Sequence, residues 1–355
     1  MLLPELSLPW AALVFLGCAV AIWIAGVFLS NFTDVLADRL GLGGALGGLI
    51  LLAIATNLPE IAITTAAASN GQIDIAVSNI LGGIALQTVV LVALDASVRV
   101  RRPLTYQAAS LTLVIEGAVV VAVLVVCVMG AQLPSTAVAG RVSPDVVGIA
   151  LIWLIGLLLT RRSQTSLPWQ NNGNAPDSQQ EPRGHSAKKR ADAATKAGVS
   201  TARAATVFGL AALVTLVAGA LLEESGSQAA DHVGLSGVLF GATVLAAATA
   251  LPELSTGITA VRAGDHQLAF GDIFGGNAFL PVLFLLATVI SGRAVLPNAH
   301  ATDIYLTALG ALLTLIYMAG LMFRPAREHA RLGLDSIAVL LVYAVGIAGL
   351  TLLPG

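Results

Sequence analysis

The sequence predicts an all-α membrane protein whose ten transmembrane helices form two inverted five-helix repeats. Three observations carry that reading. The 355-residue chain is 57% hydrophobic and 11% charged, with a mean hydropathy of +0.88, which excludes an ordinary soluble domain. Crossing ~30 Å of hydrocarbon takes about 20 residues, and ten apolar stretches meet that need. Finally, GLGGALGGLILLAIATNLPE (41–60) returns as GLSGVLFGATVLAAATALPE (234–253), ungapped, with an offset of 193 and 12 of 20 positions identical. The register continues: Gly71, Ala76, Ile80, Gly82 and Gly83 fall on Gly264, Ala269, Ile273, Gly275 and Gly276.

The first half, 1–161, holds predicted spans at 11–36, 45–69, 73–96, 108–129 and 146–160. No basic region precedes the first span, so it is expected to be retained and not cleaved as a signal peptide. The second and third spans carry polar residues at mid-depth, which are costly in lipid and so face a bundle interior. A linker, 162–202, is rich in Gln, Asn, Pro, Lys and Arg and reads as disordered or loosely helical. Its Lys188, Lys189 and Arg190 form a solvated basic cluster that anionic lipid would also attract. The second half, 203–355, repeats the pattern with spans at 204–222, 235–261, 268–290, 304–322 and 336–353. Cys18 and Cys127 both lie within spans and read as small buried hydrophobes.

Charge placement sets the expected orientation. Arg99, Arg101 and Arg102 follow the third span, the linker is basic, and Arg324, Arg327 and Arg331 follow the ninth. The segment after the sixth span, read as a loop, carries Glu223, Glu224 and Asp231 without Lys or Arg. Only the lone Arg141 and Arg293 fall on that side. The positive-inside rule then places the linker in the cytosol and both termini outside, in a plasma or inner membrane. Five spans per half is an odd number, so the second half enters from the opposite side, which makes the repeats inverted.

The repeat also carries the chemistry. Pro59 and Pro252 sit mid-span, where each removes a helix hydrogen bond and frees backbone oxygens near 55–56 and 248–249. Carbonyls beside a carboxylate are hard-oxygen ligands of the kind Ca²⁺ takes. Glu60 and Glu253 then supply one carboxylate per repeat, meeting where the halves meet. The plain alternative is that each Glu only hydrogen-bonds a neighbouring helix.

TNLPE and TALPE, with SNILGG and GDIFGGN downstream, resemble the two alpha-repeats of the calcium/cation antiporter superfamily, the sodium/calcium exchangers. The family pattern is G-T-S-L-P-E, then G-N-x-x-G-S-N-x-x-N about 18 residues on. The resemblance implies that Glu60 and Glu253 bind Ca²⁺ together with backbone oxygens of Thr56 and Thr249. It also implies that the first and sixth spans slide across the remaining core. This chain departs from the pattern at several positions. The motif Ser before Leu-Pro-Glu is Asn57 in one repeat and Ala250 in the other. The Ser of G-S-N is Gly83 and Gly276, and the final Asn is Gln87 and Leu280. In the family those positions line sodium sites. Asp272 stands where the family has Asn, with Asn79 as its first-half counterpart. Residues 272, 276 and 280 share one helical face, so Asp272 is expected to replace the missing carboxylate, to carry a proton, or simply to accept hydrogen bonds.

The candidate ligands are therefore Glu60, Glu253, Thr56, Thr249, Asp272, Asn57, Asn79 and Gln87. The expected activity is secondary antiport of Ca²⁺ against Na⁺ or H⁺, by alternating access, with no cofactor and no enzymatic chemistry. Only neutralised forms of the site are expected to reorient, because even lenient scales charge about 2.5–3.5 kcal/mol per acid at mid-bilayer. Partners are the transported cations and the bilayer, with no nucleic acid. Mg²⁺ or Mn²⁺ exchange, a cation channel and an intramembrane enzyme stay open as alternatives. Glu116, mid-way along the fourth span, is either a proton relay or a Glu bonded to a neighbouring helix. Asp74 and Asp95 are expected at the interface. The glycines Gly41, Gly43, Gly44, Gly47 and Gly48, with Gly234, Gly237 and Gly241, are expected to pack the second span against the seventh. The five His residues are expected in loops or at span ends, with no metal spacing.

Overall fold

The computed structural model of this chain describes residues 3–40, 53–98, 102–136, 138–165, 167, 179–235 and 240–350. The first glycine-rich copy (41–52), Arg99, Arg101, Gly237 and linker residues 168–178 lie outside them. In lipid the backbone satisfies its own polar groups by coiling, and the described chain is a succession of helices. The first half contains α1 (Leu8–Arg39), α2 (Leu58–Ser69), α3 (Ile73–Ala96), the short α4 (Leu104–Ala108), α5 (Leu111–Gly130) and α6 (Pro144–Thr165). The linker forms α7 (His185–Lys196). The second half runs α8 (Thr201–Val233), a π-helical turn (Gly241–Leu245), α9 (Ala246–Thr249), α10 (Leu251–Arg262) and α11 (His266–Phe279). A 3-10 turn (Leu280–Val282), α12 (Leu283–Ser291), α13 (Ala301–Phe323), a two-strand hairpin and α14 (Leu334–Leu350) complete it.

Among the described residues seven helices are long and apolar enough to cross a membrane. A bent pair, Thr243–Thr249 with Leu251–Arg262 at 48°, makes an eighth span, and Leu334–Leu350 is a shorter apolar helix. The repeat extends well beyond the motif. Helices begin at 8 and 201, 58 and 251, 73 and 266, each pair 193 apart. The packing is reciprocal. A Cβ on Gly26 of α1 would lie 2.9 Å from Pro252 of the second repeat, and one on Gly219 of α8 would lie 3.2 Å from Pro59 of the first. Positions 26 and 219 are themselves 193 apart, so the two contacts are related by the pseudo-two-fold that inverts one half onto the other.

Burial sorts the helices by role. In the apolar stretch of α3, 78% of residues are buried, and 67% in α11–α12, against 33% in α1 and 28% in α8. The motif helices are therefore central, and α1 and α8 pack together at the periphery. Leu13, Leu16, Val20 and Ile24 of α1, and Leu210, Leu213, Val214 and Val217 of α8, are exposed, as a lipid-facing surface requires.

Several sequence expectations are corrected here. The acidic segment after the sixth span is not a loop: α8 continues through Glu223, Glu224 and Asp231 to a left-handed cap at Gly234, φ +69°, a C-cap that glycine adopts without strain. Gly241 faces Ser78 and Asn79 of the third span; the glycines 41, 43, 44, 47 and 48 expected to pack the second span against the seventh lie outside the described residues. Asp95 is buried, accepting from Leu104 N at 2.6 Å and Gly333 N at 2.7 Å, so it ties a loop and the hairpin to α3. Asp74 does lie at the surface, 3.6 Å from His300. Cys18 and Cys127 are free and buried. The linker is the largest difference, because it docks. Asp265, fully buried at the start of α11, accepts from Gly184 N at 3.3 Å, Ser186 N at 3.1 Å and Ser186 Oγ at 2.9 Å. Arg190 Nε pairs with Asp34 Oδ2 at 2.7 Å. Lys189, 2.9 Å from the exposed Glu181, holds that carboxyl below its usual range.

Candidate cation site

Both Thr-x-Leu-Pro-Glu segments interrupt their helices at the same point. Asn57 (φ −89°, ψ 15°) and Ala250 (φ −79°, ψ 1°) precede α2 and α10, each of which has its proline in the first turn followed by the glutamate. The prolines have no N–H to give to the carbonyls of Ala55 and Ala248. A carboxylate in the first turn of a helix is matched to the positive end of its dipole, and the short helical pieces before the breaks turn their carbonyl ends toward the same region. In the second repeat the approach is made by the π-helical turn, a local irregularity found mostly at functional sites.

Inversion brings the two glutamates together with crossed partners. Thr249 of the second repeat lies beside Glu60 of the first, and Thr56 of the first lies beside Glu253 of the second. The hydroxyls of Thr56 and Thr249 also turn back onto Ala53 O at 3.4 Å and Ala246 O at 3.2 Å. Gln87 Nε2 donates to Glu60 Oε1 at 3.3 Å, and Asn57 Nδ2 donates to Ala53 O at 2.6 Å. The charges of Glu60 and Asp272 both act on Glu253. Thr256 Oγ1 donates to Asp272 Oδ2 at 2.8 Å.

Burial and unpaired oxygens decide what this arrangement can do. Glu60, Glu253, Thr56 and Thr249 are each 1% exposed, and Asn57, Asn79 and Gln87 are 0%. Nevertheless Glu60 Oε2, both carboxylate oxygens of Glu253, Asn57 Oδ1, Gln87 Oε1, Asp272 Oδ1 and Asn277 Oδ1 have no hydrogen-bond partner. Buried polar atoms are almost always paired. Among the described residues the unpaired atoms gathered here are mostly oxygens, an arrangement that a cation would satisfy. Among the described residues, no group of three or more His, Cys, Asp or Glu side chains is placed to hold a metal. Coordination here would thus rest on two glutamates completed by amide, hydroxyl and backbone oxygens, a hard-ligand set.

The departures from the resemblance acquire a geometry. A Cβ on Gly276 would meet Asn57 Nδ2 at 3.2 Å and Gln87 Oε1 at 3.7 Å. The long amides of Asn57 and Gln87 therefore take up space that a side chain at 276 would need. No such partner fills the related place, where a Cβ on Gly83 would meet nothing within 4 Å. Leu280 begins the 3-10 turn at Pro281 and is buried. Asn79 is buried with both amide atoms unpaired, and its backbone lies against the π-helical turn. Asn277 was not among the sequence candidates. Its Nδ2 donates to Thr88 Oγ1 of the other repeat at 3.1 Å, and its signal was available as the Asn kept from G-S-N. Glu116 pairs with Arg183 of the linker at 2.6 Å, a partner outside the spans that the sequence did not suggest.

The chain is similar to several known proteins. A family model described as "Sodium/calcium exchanger protein" matches residues 10–163 and 203–352. "Inner membrane protein YrbG" of Escherichia coli (strain K12) is 26% identical over 295 residues, 82% of this chain and 83% of that protein. Two solved structures share the fold. An H⁺/Ca²⁺ exchanger, CAX, superposes with TM-score 0.69 at 14% identity, covering 97% of this chain and 82% of the other. The sodium-calcium exchanger NCX_Mj, soaked with Na⁺ and Sr²⁺, gives 0.60 at 16% identity, covering 96% and 99%.

Proposed function

This chain belongs to the sodium/calcium exchanger family, and from that premise we propose that it carries Ca²⁺ by antiport through Glu60 and Glu253. One observation carries the reading: two fully buried glutamates, one per inverted repeat, face each other's threonines, with Glu60 Oε2 and both oxygens of Glu253 unpaired. Thr56, Thr249, Asn57, Asn79, Gln87 and Asp272 are the further candidate ligands. Two ionised carboxylates cost about 2.5–3.5 kcal/mol each to hold at mid-bilayer. Ca²⁺ cancels both charges, and so do protons or Na⁺. Exchange follows if only the neutralised site reorients.

Between the two counter-ions, the residues favour protons. Gly83, Gly276 and Leu280 offer no side-chain oxygen, whereas Asp272 adds a buried carboxylate with one free oxygen. The halves 1–161 and 203–355 act as the two repeats. The linker 162–202 lies in the cytosol and the termini outside, in the inner or plasma membrane.

The test is Ca²⁺ uptake into reconstituted vesicles, driven separately by a pH gradient and by an outward Na⁺ gradient. Uptake under the pH gradient, lost in Glu253→Gln, is expected. Uptake under the Na⁺ gradient alone would reassign the counter-ion. Absence of Ca²⁺ uptake under both, with Mn²⁺ or Mg²⁺ transported instead, would overturn Ca²⁺ as the substrate.

A further inference from the structure

The linker places a positive charge inside the bundle. Arg183 Nη1 lies 2.6 Å from Glu116 Oε1, with the two side chains only 10% and 8% exposed. Such a pair is costly to desolvate and costlier to break one-sidedly, so its position calls for a reason. Both residues line a cavity of about 60 Å³ that Ala53, Thr160, Gly275 and Asp272 also border. That volume matches about two water molecules. The Arg183 charge reaches Asp272. On its other side Asp272 borders a second small cavity, of about 10 Å³, lined by Ser30, Thr256 and a second linker arginine, Arg190. The linker thus stands at both approaches to Asp272.

The sequence makes room for this arginine. Position 271 is glycine, and a Cβ there would overlap the Arg183 guanidinium. Its repeat mate is Ser78, which instead donates to Asp303 at 2.8 Å. The place equivalent to the arginine's is taken by Gly241 of the π-helical turn, with ideal Cβ positions meeting Ser78 and Asn79 at 3.5 and 3.6 Å. Among the described residues, Ser78 thus faces a turn of the second repeat and Gly271 faces the linker. The linker's hold is mainly polar. Of α7 only Ser186 and Ala191 are buried, and the segment is fixed by Asp265, Asp34 and Glu116.

We infer that Arg183 is a tethered cation that plugs the linker-side path to Asp272, competing for Glu116 with the ions that enter there. The inference rests on the antiport reading for its transport readout but not for its accessibility readout. Cargo arriving from the linker side has to displace the guanidinium, whereas cargo from the opposite side does not meet it. Arg183 is a gating residue and touches no proposed Ca²⁺ ligand except through the charge it presents to Asp272.

The first measurement is thiol labelling of Gly275→Cys by a membrane-impermeant reagent applied from the linker side. The chain without the added cysteine gives the background from Cys18 and Cys127. Position 275 lines the cavity, and a side chain there meets nothing within 4 Å. Labelling is expected to be slow in the parent and at least tenfold faster with Arg183→Gln/Glu116→Gln, which removes both buried charges together. Gly271→Ala, which expels the guanidinium sterically, is expected to act the same way. In vesicles of fixed orientation, the double variant should lower the half-saturating Ca²⁺ several-fold on the linker side and leave the other side unchanged. Unchanged labelling in both variants, or equal effects on the two sides, would overturn the plug. A parent chain that moves no cation, yet labels faster in both variants, would overturn the antiport reading and leave the plug standing.

Discussion

At the scale of single residues, the unpaired oxygens make opposite predictions for stability and for function. Glu253 has no hydrogen-bond partner for either oxygen, so its carboxylate weakens the empty fold. Glu253→Gln is expected to raise the melting temperature of detergent-solubilised protein without Ca²⁺ and to bind Ca²⁺ at least about tenfold more weakly. The parent should gain about 2.7 kcal/mol at a hundred times its Kd, and tenfold weaker binding would cut that to about 1.4 kcal/mol in the variant. A Ca²⁺-dependent melting shift that is undiminished in Glu253→Gln would remove this glutamate from the site. Asn57 and position 276 form a second test. Gly276→Ser should cost about 1–3 kcal/mol by overpacking, because the new side chain meets Asn57 at 3.2 Å. Adding Asn57→Ser should recover most of that cost. Additive costs in a double-mutant cycle would show that the two residues are independent. The glutamates, threonines and prolines were legible in the sequence because repetition marked them. The Asn57–Gly276 fit was not, since one residue grew and the other shrank at positions far apart in the chain.

At the scale of helices, the proline breaks and the small residues against them form one device. α1 and α8 are apolar on their outer faces and meet the motif helices through Gly26 and Gly219. Larger side chains there would wedge these helices against Pro252 and Pro59. Gly26→Val and Gly219→Val are each expected to cut Ca²⁺ flux more than about tenfold while the Ca²⁺-induced melting shift survives, an outcome typical of gating positions. Loss of the melting shift along with the flux would mean that the substitutions damage the site itself. The equivalence of these glycines was open to the same offset of 193 that revealed the motif. It went unread because alanine and glycine in an apolar helix carry little pattern. The eighth span's central copy is continuous in α3 but broken by Leu280-Pro281 in α11–α12. The extension of α8 was missed for the opposite reason. Glu223 and Glu224 signalled a loop by charge, while their helix propensity, close to that of the best formers, signalled continuation.

At the scale of the molecule, the fold class and its inverted halves were legible because hydropathy and repetition are global properties. The docking of the linker was not. Its contacts join Arg183 to Glu116, Arg190 to Asp34 and Ser186 to Asp265, pairs remote in sequence that leave no periodicity, and its composition is that of a solvated loop. Orientation is testable at this scale too: reporter domains fused at the C-terminus and inserted near residue 197 should report opposite sides of the membrane, with the linker reporter in the cytosol. Reporters on the same side would mean an even number of spans between them and would overturn the count of five.

The 193-residue offset relates α1 to α8, α2 to α10 and α3 to α11, but among the described residues α7 has no repeat mate. Two opposed copies of one fold treat the faces of the membrane alike except where the copies differ, as at Asp272 and Asn79. The linker is a further difference, and it exists once. On the inference drawn above it makes one face load less readily than the other, so the joint between the copies would lend a duplicated fold a direction.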